Sequence, residues 1–186
     1  MSDYIYVLAT NRETANLMTA KMSSNYEAKT LDLFFSIPDN FLLLGRQNSE
    51  EQLTYMIPLG FKTYAPEGAD MLLLPRSSSG NLRKLAPTID DPPYLEACKN
   101  ANIKLFDADA IHLSNTMGYI DWDYRNEWQS LVYVDKDFRV DTNRAYLQAI
   151  PMEPTKFSFK LVDDISQIPS KYISTKRGEN GFGSTG

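Results

Sequence analysis

Residues 53–74, LTYMIPLGFKTYAPEGADMLLL, contain three short apolar runs separated by turn-forming residues. The runs cover residues 53–57, 61–64 and 71–74, and two prolines and two glycines stand between them. Frequent turns between short runs are typical of a β-sandwich or barrel rather than of alternating strands and helices. This stretch therefore predicts an all-β fold.

The same pattern extends outward from this stretch in both directions. Strands are predicted at residues 4–8, 30–37, 111–113, 128–134, 144–152 and 156–162, whereas helices are predicted only at 11–22 and 94–102. Residues 81–114 interrupt the pattern with three prolines and two adjacent aspartates. Residues 168–175 are predicted to form a tether to the C-terminal tail.

Length and composition fit one ordinary globular domain. The 186 residues include 42% hydrophobic and 23% charged residues, which is enough apolar material for a core. The formal net charge of −5 argues against binding to duplex nucleic acid, which needs a basic surface. The single cysteine, Cys98, excludes an intramolecular disulfide. No leader and no membrane association are expected, so the predicted location is cytoplasmic.

The last ten residues, RGENGFGSTG at 177–186, have the composition of a phosphate-binding loop. Four glycines let the backbone approach a polyanion closely, while Arg177 supplies a guanidinium fork and Ser184 and Thr185 supply hydroxyl donors. Phe182 is interpreted as a lid over a flat ring, which predicts a nucleotide ligand. The alternative interpretation is a flexible glycine-rich tail.

Residues 115–125, NTMGYIDWDYR, combine a turn residue, carboxylates and aromatic rings. Gly118 would let a tight hairpin present its backbone N–H and C=O groups to a base edge. Asp121 is a candidate general base for a water molecule, and Tyr124 offers a flat ring and a hydroxyl. Asp123 is either a second functional carboxylate or a solvated turn residue.

Residues 71–80, MLLLPRSSSG, predict an anion site, because an apolar strand ends in proline and an arginine and hydroxyl groups follow it. Together with two weaker stretches, these segments resemble the five motifs of the homotrimeric dUTPase family, in the family's order. The motifs correspond to residues 30–33, 75–78, 115–124, Asn143-Arg144 with Gln148, and 177–186. The resemblance covers most of the chain from Leu31 onward.

The resemblance implies a fold, an assembly and a reaction. The fold is an all-β distorted jelly roll (β-clip) with one or two short helices. Residues 1–175 form a single domain with an insertion at about 81–114, and residues 176–186 form a Gly-rich arm that closes an active site. The assembly is a homotrimer with sites between subunits, the arm of one subunit closing the site of another. The reaction is hydrolysis of dUTP to dUMP and pyrophosphate with Mg²⁺.

The resemblance also implies roles for individual residues. Asp121 activates the water that attacks the α-phosphorus, and Tyr124 packs under the deoxyribose. Uracil is recognised by Asn115 and the backbone of Gly118, Tyr119 and Ile120, and it is covered by Phe182. The phosphates are bound by Arg76, Ser77, Ser78, Gln148, Arg177, Gly183, Ser184 and Thr185. Asp32 holds waters of the Mg²⁺ shell.

The chain departs from the family's pattern at several points. Ser78 stands where the second motif has glycine, and Gln148 lies four residues after Arg144 instead of three. A β-bulge would absorb that extra residue. Trp122 replaces a small or acidic residue, and His112, the single histidine, is predicted to have a structural role.

Two alternative functions follow from the same scaffold. The first is a dCTP deaminase or a bifunctional deaminase–dUTPase, which would need a glutamate for deamination, and Glu127 is the first glutamate after Asp121. The second is a dUTP-sensing module that binds a protein partner through residues 81–114. Ammonia release from dCTP would identify the first alternative. Pull-downs with and without residues 81–114 would identify the second.

Overall fold

A computed structural model describes residues 3–22, 27–48, 53–76, 80–84, 92–101, 106–115 and 117–180. Fourteen strands and two α-helices occur in these residues, and the predicted all-β class is confirmed. The helices are α1 (Arg12–Lys21) and α2 (Pro92–Asn100). The strands are β1 (Asp3–Ala9), β2 (Glu27–Ala28), β3 (Leu31–Leu33), β4 (Leu42–Leu43), β5 (Tyr55–Pro58), β6 (Phe61–Tyr64), β7 (Met71–Pro75), β8 (Gly80–Lys84), β9 (Phe106–Leu113), β10 (Gly118–Ile120), β11 (Gln129–Val134), β12 (Phe138–Arg139), β13 (Leu147–Pro151) and β14 (Phe157–Val162).

The described strands form three four-stranded sheets and one two-stranded ribbon. The four-stranded sheets have the orders β2-β14-β1-β6, β10-β7-β13-β3 and β5-β11-β9-β8, and β12 pairs with β4. The pairing of β1 with β14 is parallel, and the pairings in the sheet that contains β7 are antiparallel. Most neighbours in each sheet are distant in sequence, so the fold depends on long-range contacts.

One apolar core joins the sheets. Alternate residues of β7, β13 and β3 point into it, and those of β13 read Leu147, Ala149 and Pro151. Trp128 is fully buried, and its indole N–H donates to the hydroxyl of Thr63 at 3.0 Å. Burial with a satisfied polar atom makes Trp128 a core residue.

The first predicted helix is capped as expected, whereas the strand after it is shorter than predicted. The Asn11 side chain accepts a hydrogen bond from the Thr14 N–H at 2.9 Å, which caps α1. Of the strand predicted at 30–37, residues 31–33 pair. Phe35 is buried outside the sheet and stacks on Tyr146 with ring centroids 5.1 Å apart. An apolar run is buried whether it forms a paired strand or a segment outside the sheet. Sequence periodicity does not distinguish these two conformations.

The predicted insertion is continuous with a sheet. β8 and β9 pair antiparallel, and β9 also pairs with β11, so the strand predicted at 111–113 begins at Phe106. The helix predicted at 94–102 is observed as α2. In the described residues, no helix is long and apolar enough to cross a membrane.

The segment predicted as a tether is packed against the domain instead. Ile168 is buried, and the Tyr172 ring lies 6.1 Å from the Tyr6 ring. Two short 3-10 turns, Ile165–Gln167 and Ser170–Tyr172, shape this segment. Because this segment packs against the domain, the position of the C-terminal arm that follows it is determined at its start.

Candidate active site

A pocket of about 220 Å³ lies at the end of β10. It brings together seven of the sequence-predicted site residues: Asn115, Gly118, Tyr119, Ile120, Asp121, Tyr124 and Arg177. The sequence analysis did not select its apolar and amide wall, which is formed by Leu73, Leu131 and Gln129. A carboxylate, a basic group, an aromatic ring and a strand edge therefore share one concave surface.

Gly118 is required here by close packing. A Cβ atom at this position would lie 2.9 Å from the Cβ of Leu73 on β7, and Gly118 pairs with Leu73 across the sheet. β10 can therefore approach β7 closely only because residue 118 lacks a side chain. Gly118 was predicted to lie in a tight hairpin, whereas the structure places it at the start of β10.

The loop after β10 is held by a buried arginine. Arg125 is 4% exposed, and its guanidinium donates to the carbonyls of Trp122 at 2.6 Å and Tyr172 at 2.7 Å. Burial lowers the pKa of Arg125 from its ordinary value. The carbonyl dipoles compensate the buried charge, so Arg125 fixes the loop to the C-terminal segment.

Asp121 and Asp123 both face Arg177, the second residue of the predicted arm. Arg177 Nη1 forms an ion pair with the Asp121 carboxylate and lies 3.6 Å from Asp123 Oδ1. Gly178, with φ +60°, turns the chain back, and its carbonyl accepts from the Arg125 N–H at 2.8 Å. Arg177 therefore lines the pocket of its own chain, whereas the resemblance implies an arm that reaches another subunit.

Tyr124 presents its ring to the pocket. The residue is 6% exposed, its hydroxyl donates to the Glu127 carbonyl at 3.2 Å, and burial raises its pKa. The Arg177 guanidinium carbon lies 5.4 Å from the ring centroid. Because the hydroxyl is engaged away from the pocket, the flat face is what a ligand would meet.

Asp32, Arg76 and Gln148 form a second group. Asp32 on β3 pairs with Gln148 on β13, and Arg76 Nη1 donates to Asp32 Oδ2 at 2.9 Å. Asp32 and Arg76 line a cavity of about 350 Å³, together with residues of α1 and β2. The side chains of Arg76 and Asp32 are 34% and 23% exposed, so both can reach a ligand from solvent.

The two groups line separate cavities. The pocket at β10 and the cavity of Asp32 and Arg76 have no lining residue in common. Gln148 on β13 pairs with Leu74 and does not line the pocket. Among the described residues, the candidate base Asp121 and the Asp32–Arg76 pair therefore lie in different cavities.

Known proteins resemble this chain over most of its length. A deoxyuridine 5'-triphosphate nucleotidohydrolase of Gamma-proteobacterium EBAC31A08 is 28% identical over 167 residues, which are 87% of this chain and 92% of that protein. The enzyme of that name from Orientia tsutsugamushi (strain Boryong) is 29% identical over 129 residues, 68% of this chain and 81% of that protein. The chain is therefore similar in sequence to dUTPases over most of its length. No family model matches it.

Solved dUTPase structures are also similar to the chain. A mutant dUTPase of Staphylococcus bacteriophage 80alpha matches with a TM-score of 0.46 at 15% identity and covers 99% of both chains. The dUTPase of Streptococcus mutans matches with a TM-score of 0.41 at 18% identity, covering 74% of this chain and 83% of that one. The predicted resemblance to dUTPases is confirmed by the sequence relatives.

The second, third and fifth predicted motifs are only partly within the described residues, and the roles of the site residues remain predictions. Ser77 and Ser78 of the second motif and Phe182, Gly183, Ser184 and Thr185 of the fifth lie outside them. In the fourth motif, Gln148 is on β13, whereas Arg144 lies in the turn before it and stacks over Tyr146 at 5.5 Å. The sequence alone gave no signal for Asp70, which contacts the third motif through two hydrogen bonds.

Proposed function

We propose that the protein hydrolyses dUTP to dUMP and pyrophosphate. The observation that carries this proposal is the pocket in which Asp121, the β10 backbone and the Tyr124 ring meet. The relatives named deoxyuridine 5'-triphosphate nucleotidohydrolase support the choice of substrate. The remaining steps follow from the position of each group.

Uracil binds along β10. This strand is at the edge of its sheet, so one row of its backbone N–H and C=O groups is available to a ligand, and Asn115 adds an amide beside it. A base edge pairs with such a row as it pairs with another base. Tyr124 then packs its ring against the deoxyribose and leaves no room for a 2′-hydroxyl.

Asp121 acts as the general base. Its carboxylate takes a proton from a water, the water oxygen forms a bond to the α-phosphorus, and the bond from that phosphorus to the bridging oxygen breaks. Pyrophosphate leaves with the electron pair of that bond. The side chain is 40% exposed, so water reaches it, and Arg177 beside it is placed to meet the phosphates.

The residues present fit Mg²⁺ that is held mainly by the substrate. Among the described residues, no cluster of three His, Cys, Asp or Glu side chains is suited to a metal ion. Mg²⁺ commonly keeps several waters and takes one or two carboxylates plus phosphates, so Asp32 would hold a water of its shell. When bound, the ion neutralises charge on the triphosphate.

A second copy of the chain completes the site. Arg76, Ser77, Ser78 and Gln148 would hold phosphates, yet Arg76 and Gln148 do not line the pocket. A cyclic homotrimer brings this row of one subunit to the pocket of the next through a heterologous interface. The residues of this row would therefore contact both the neighbouring subunit and the phosphates of the substrate.

Subunit complementation tests this arrangement. Asp121→Asn and Arg76→Ala should each be nearly inactive alone. After subunit exchange in a one-to-one mixture, about a quarter of the sites combine an intact pocket with an intact Arg76, so activity should return to that order. Mixtures of each variant with itself are the control. A mixture as inactive as its components would contradict a shared site.

The reaction is tested by pyrophosphate release from dUTP, UTP, dTTP and dCTP, with Mg²⁺ and with EDTA. Release from dUTP alone, lost with EDTA, is expected. Ammonia release from dCTP would instead indicate the deaminase alternative. Glu127, which that alternative would need, accepts a hydrogen bond from the Gly60 N–H at 3.0 Å and does not line the pocket.

A further inference from the structure

We propose that Asp70 is a positioning residue for the candidate base Asp121, an inference that rests on the proposed hydrolysis. Asp70 lies outside all five motif stretches and directly before β7. Its carboxylate bridges two points of the loop that carries Asp121. Asp70 Oδ1 accepts from the Trp122 backbone N–H at 2.9 Å, and Asp70 Oδ2 accepts from the Tyr119 hydroxyl at 2.6 Å.

The two donors flank the candidate base. Tyr119 is two residues before Asp121, and Trp122 is the residue directly after it. A single carboxylate therefore holds the backbone N–H directly after Asp121 and the Tyr119 side chain before it. Hydrogen bonds to a charged acceptor are shorter and stronger than neutral ones, as the 2.6 Å distance indicates.

Asp70 itself is held rigidly. Its carbonyl accepts from the Met152 N–H at 2.9 Å, and the next residue, Met71, pairs with Ile120 on one side and Pro151 on the other. The backbone at Asp70 therefore cannot move without disturbing two strand pairings. Because its backbone is fixed in this way, the Asp70 carboxylate holds the Asp121 loop in a constant position relative to β7.

The loop is clamped between Asp70 and Arg125. Asp70 accepts the N–H of Trp122, and Arg125 donates to the carbonyl of the same residue at 2.6 Å. Both backbone polar groups of Trp122, the residue after Asp121, are therefore bonded to charged side chains. Asp70 is also the group that raises the pKa of Tyr119, through the hydrogen bond from its hydroxyl.

The clamp predicts a defect in turnover that binding does not share. In Asp70→Ala the loop loses both hydrogen bonds to Asp70, whereas those to Arg125 remain. Misplacement of a catalytic group by about 1 Å can lower a rate by about 100-fold. We therefore expect kcat for dUTP to fall by about 10- to 100-fold. KM should change by less than about threefold, because Asp70 is not assigned a contact with the substrate in the ground state. Asp70→Asn, whose amide oxygen still accepts from Trp122, should restore most of kcat.

Two control variants separate positioning from folding. Tyr119→Phe removes one of the two hydrogen bonds and keeps the backbone anchor, so its kcat should lie near that of Asp70→Asn. Asp164→Ala removes another carboxylate that accepts from a backbone N–H, that of Ser166 at 2.8 Å, outside the pocket. Its kcat should match that of the unchanged protein. A wild-type kcat in Asp70→Ala, or equal losses in Asp70→Ala and Asp164→Ala, would overturn the inference.

Hydrogen exchange tests the clamp independently of activity. The Trp122 amide should lose protection in Asp70→Ala and keep it in Asp70→Asn and Asp164→Ala, while amides of β13 stay protected in all three. If the unchanged protein releases no pyrophosphate from dUTP, the proposed function fails, and this measurement still decides whether Asp70 holds the loop. Full protection of Trp122 in Asp70→Ala would refute the clamp.

Discussion

Arg177 forms an ion pair with Asp121 of the same chain, although 56 residues separate the two in sequence. The contact joins the start of the C-terminal arm to the candidate base, and the Arg177 side chain is 25% exposed. The phosphates of a triphosphate would compete with the carboxylate for this guanidinium. The start of the arm and the candidate base therefore contact each other within one chain.

The first prediction concerns Asp121. Asp121→Asn keeps the shape of the side chain but cannot accept the proton of water, so kcat should fall by about 10²–10⁴-fold while dUTP still binds. Turnover and calorimetric binding of dUTP measure the two effects. Asp123→Asn is the matched control, since it also faces Arg177, and its loss should be much smaller. A larger loss in Asp123→Asn would assign the base to that residue.

The second prediction concerns the choice of sugar. Tyr124→Ala removes the ring that lines the pocket and should narrow the preference for dUTP over UTP, measured as the ratio of kcat/KM values. Tyr124→Phe loses only the hydroxyl that donates to the Glu127 carbonyl and should keep that preference. Truncation of a buried ring costs about 3–5 kcal/mol, so both variants are assayed well below their melting temperatures. An unchanged ratio in Tyr124→Ala would place sugar selection elsewhere.

The third prediction concerns removal of residues 176–186. The domain up to Thr175 keeps its core, and circular dichroism should show a folded protein with a similar Tm. Turnover should fall strongly, because Arg177 and the predicted phosphate and uracil contacts of Phe182, Gly183, Ser184 and Thr185 are lost. Arg177→Ala alone should lower kcat/KM less than the truncation does. Full activity in the truncated chain would exclude the arm from the site.

The fourth prediction uses the pH dependence of the arm contact. Glu179 accepts a hydrogen bond from Lys62 at 2.7 Å, which lowers the pKa of Glu179 and raises that of Lys62. A lowered carboxyl pKa means that the pair supports the docked arm above the ordinary carboxyl pKa. That support is lost as the pH falls through the lowered value. NMR titration of Glu179 should therefore show a midpoint below the ordinary one.

Two lysine variants check the source of that shift. Lys62→Gln should return the Glu179 midpoint to its ordinary value. Lys156→Gln, which breaks an exposed pair with Glu153, should leave it unchanged. Raising the salt concentration should act in the same direction as Lys62→Gln, because exposed pairs are screened. A Glu179 midpoint that ignores Lys62 would show that the arm docks without this pair.

The all-β class and the resemblance to dUTPases were predicted from the sequence and are confirmed, and seven of the predicted site residues line one pocket. Short apolar runs between turn residues predict strands from local sequence alone. The motif around Asp121 can be recognised in the sequence because its residues are consecutive. The tertiary structure alone decided that Gly118 is needed for contact with Leu73, that Phe35 is buried outside a sheet, and that residues 168–175 pack against the domain. It also shows that Asp70 accepts hydrogen bonds from Tyr119 and Trp122 and that Gln148 does not line the pocket. These facts depend on strand register and on contacts between distant segments, which local propensity does not encode.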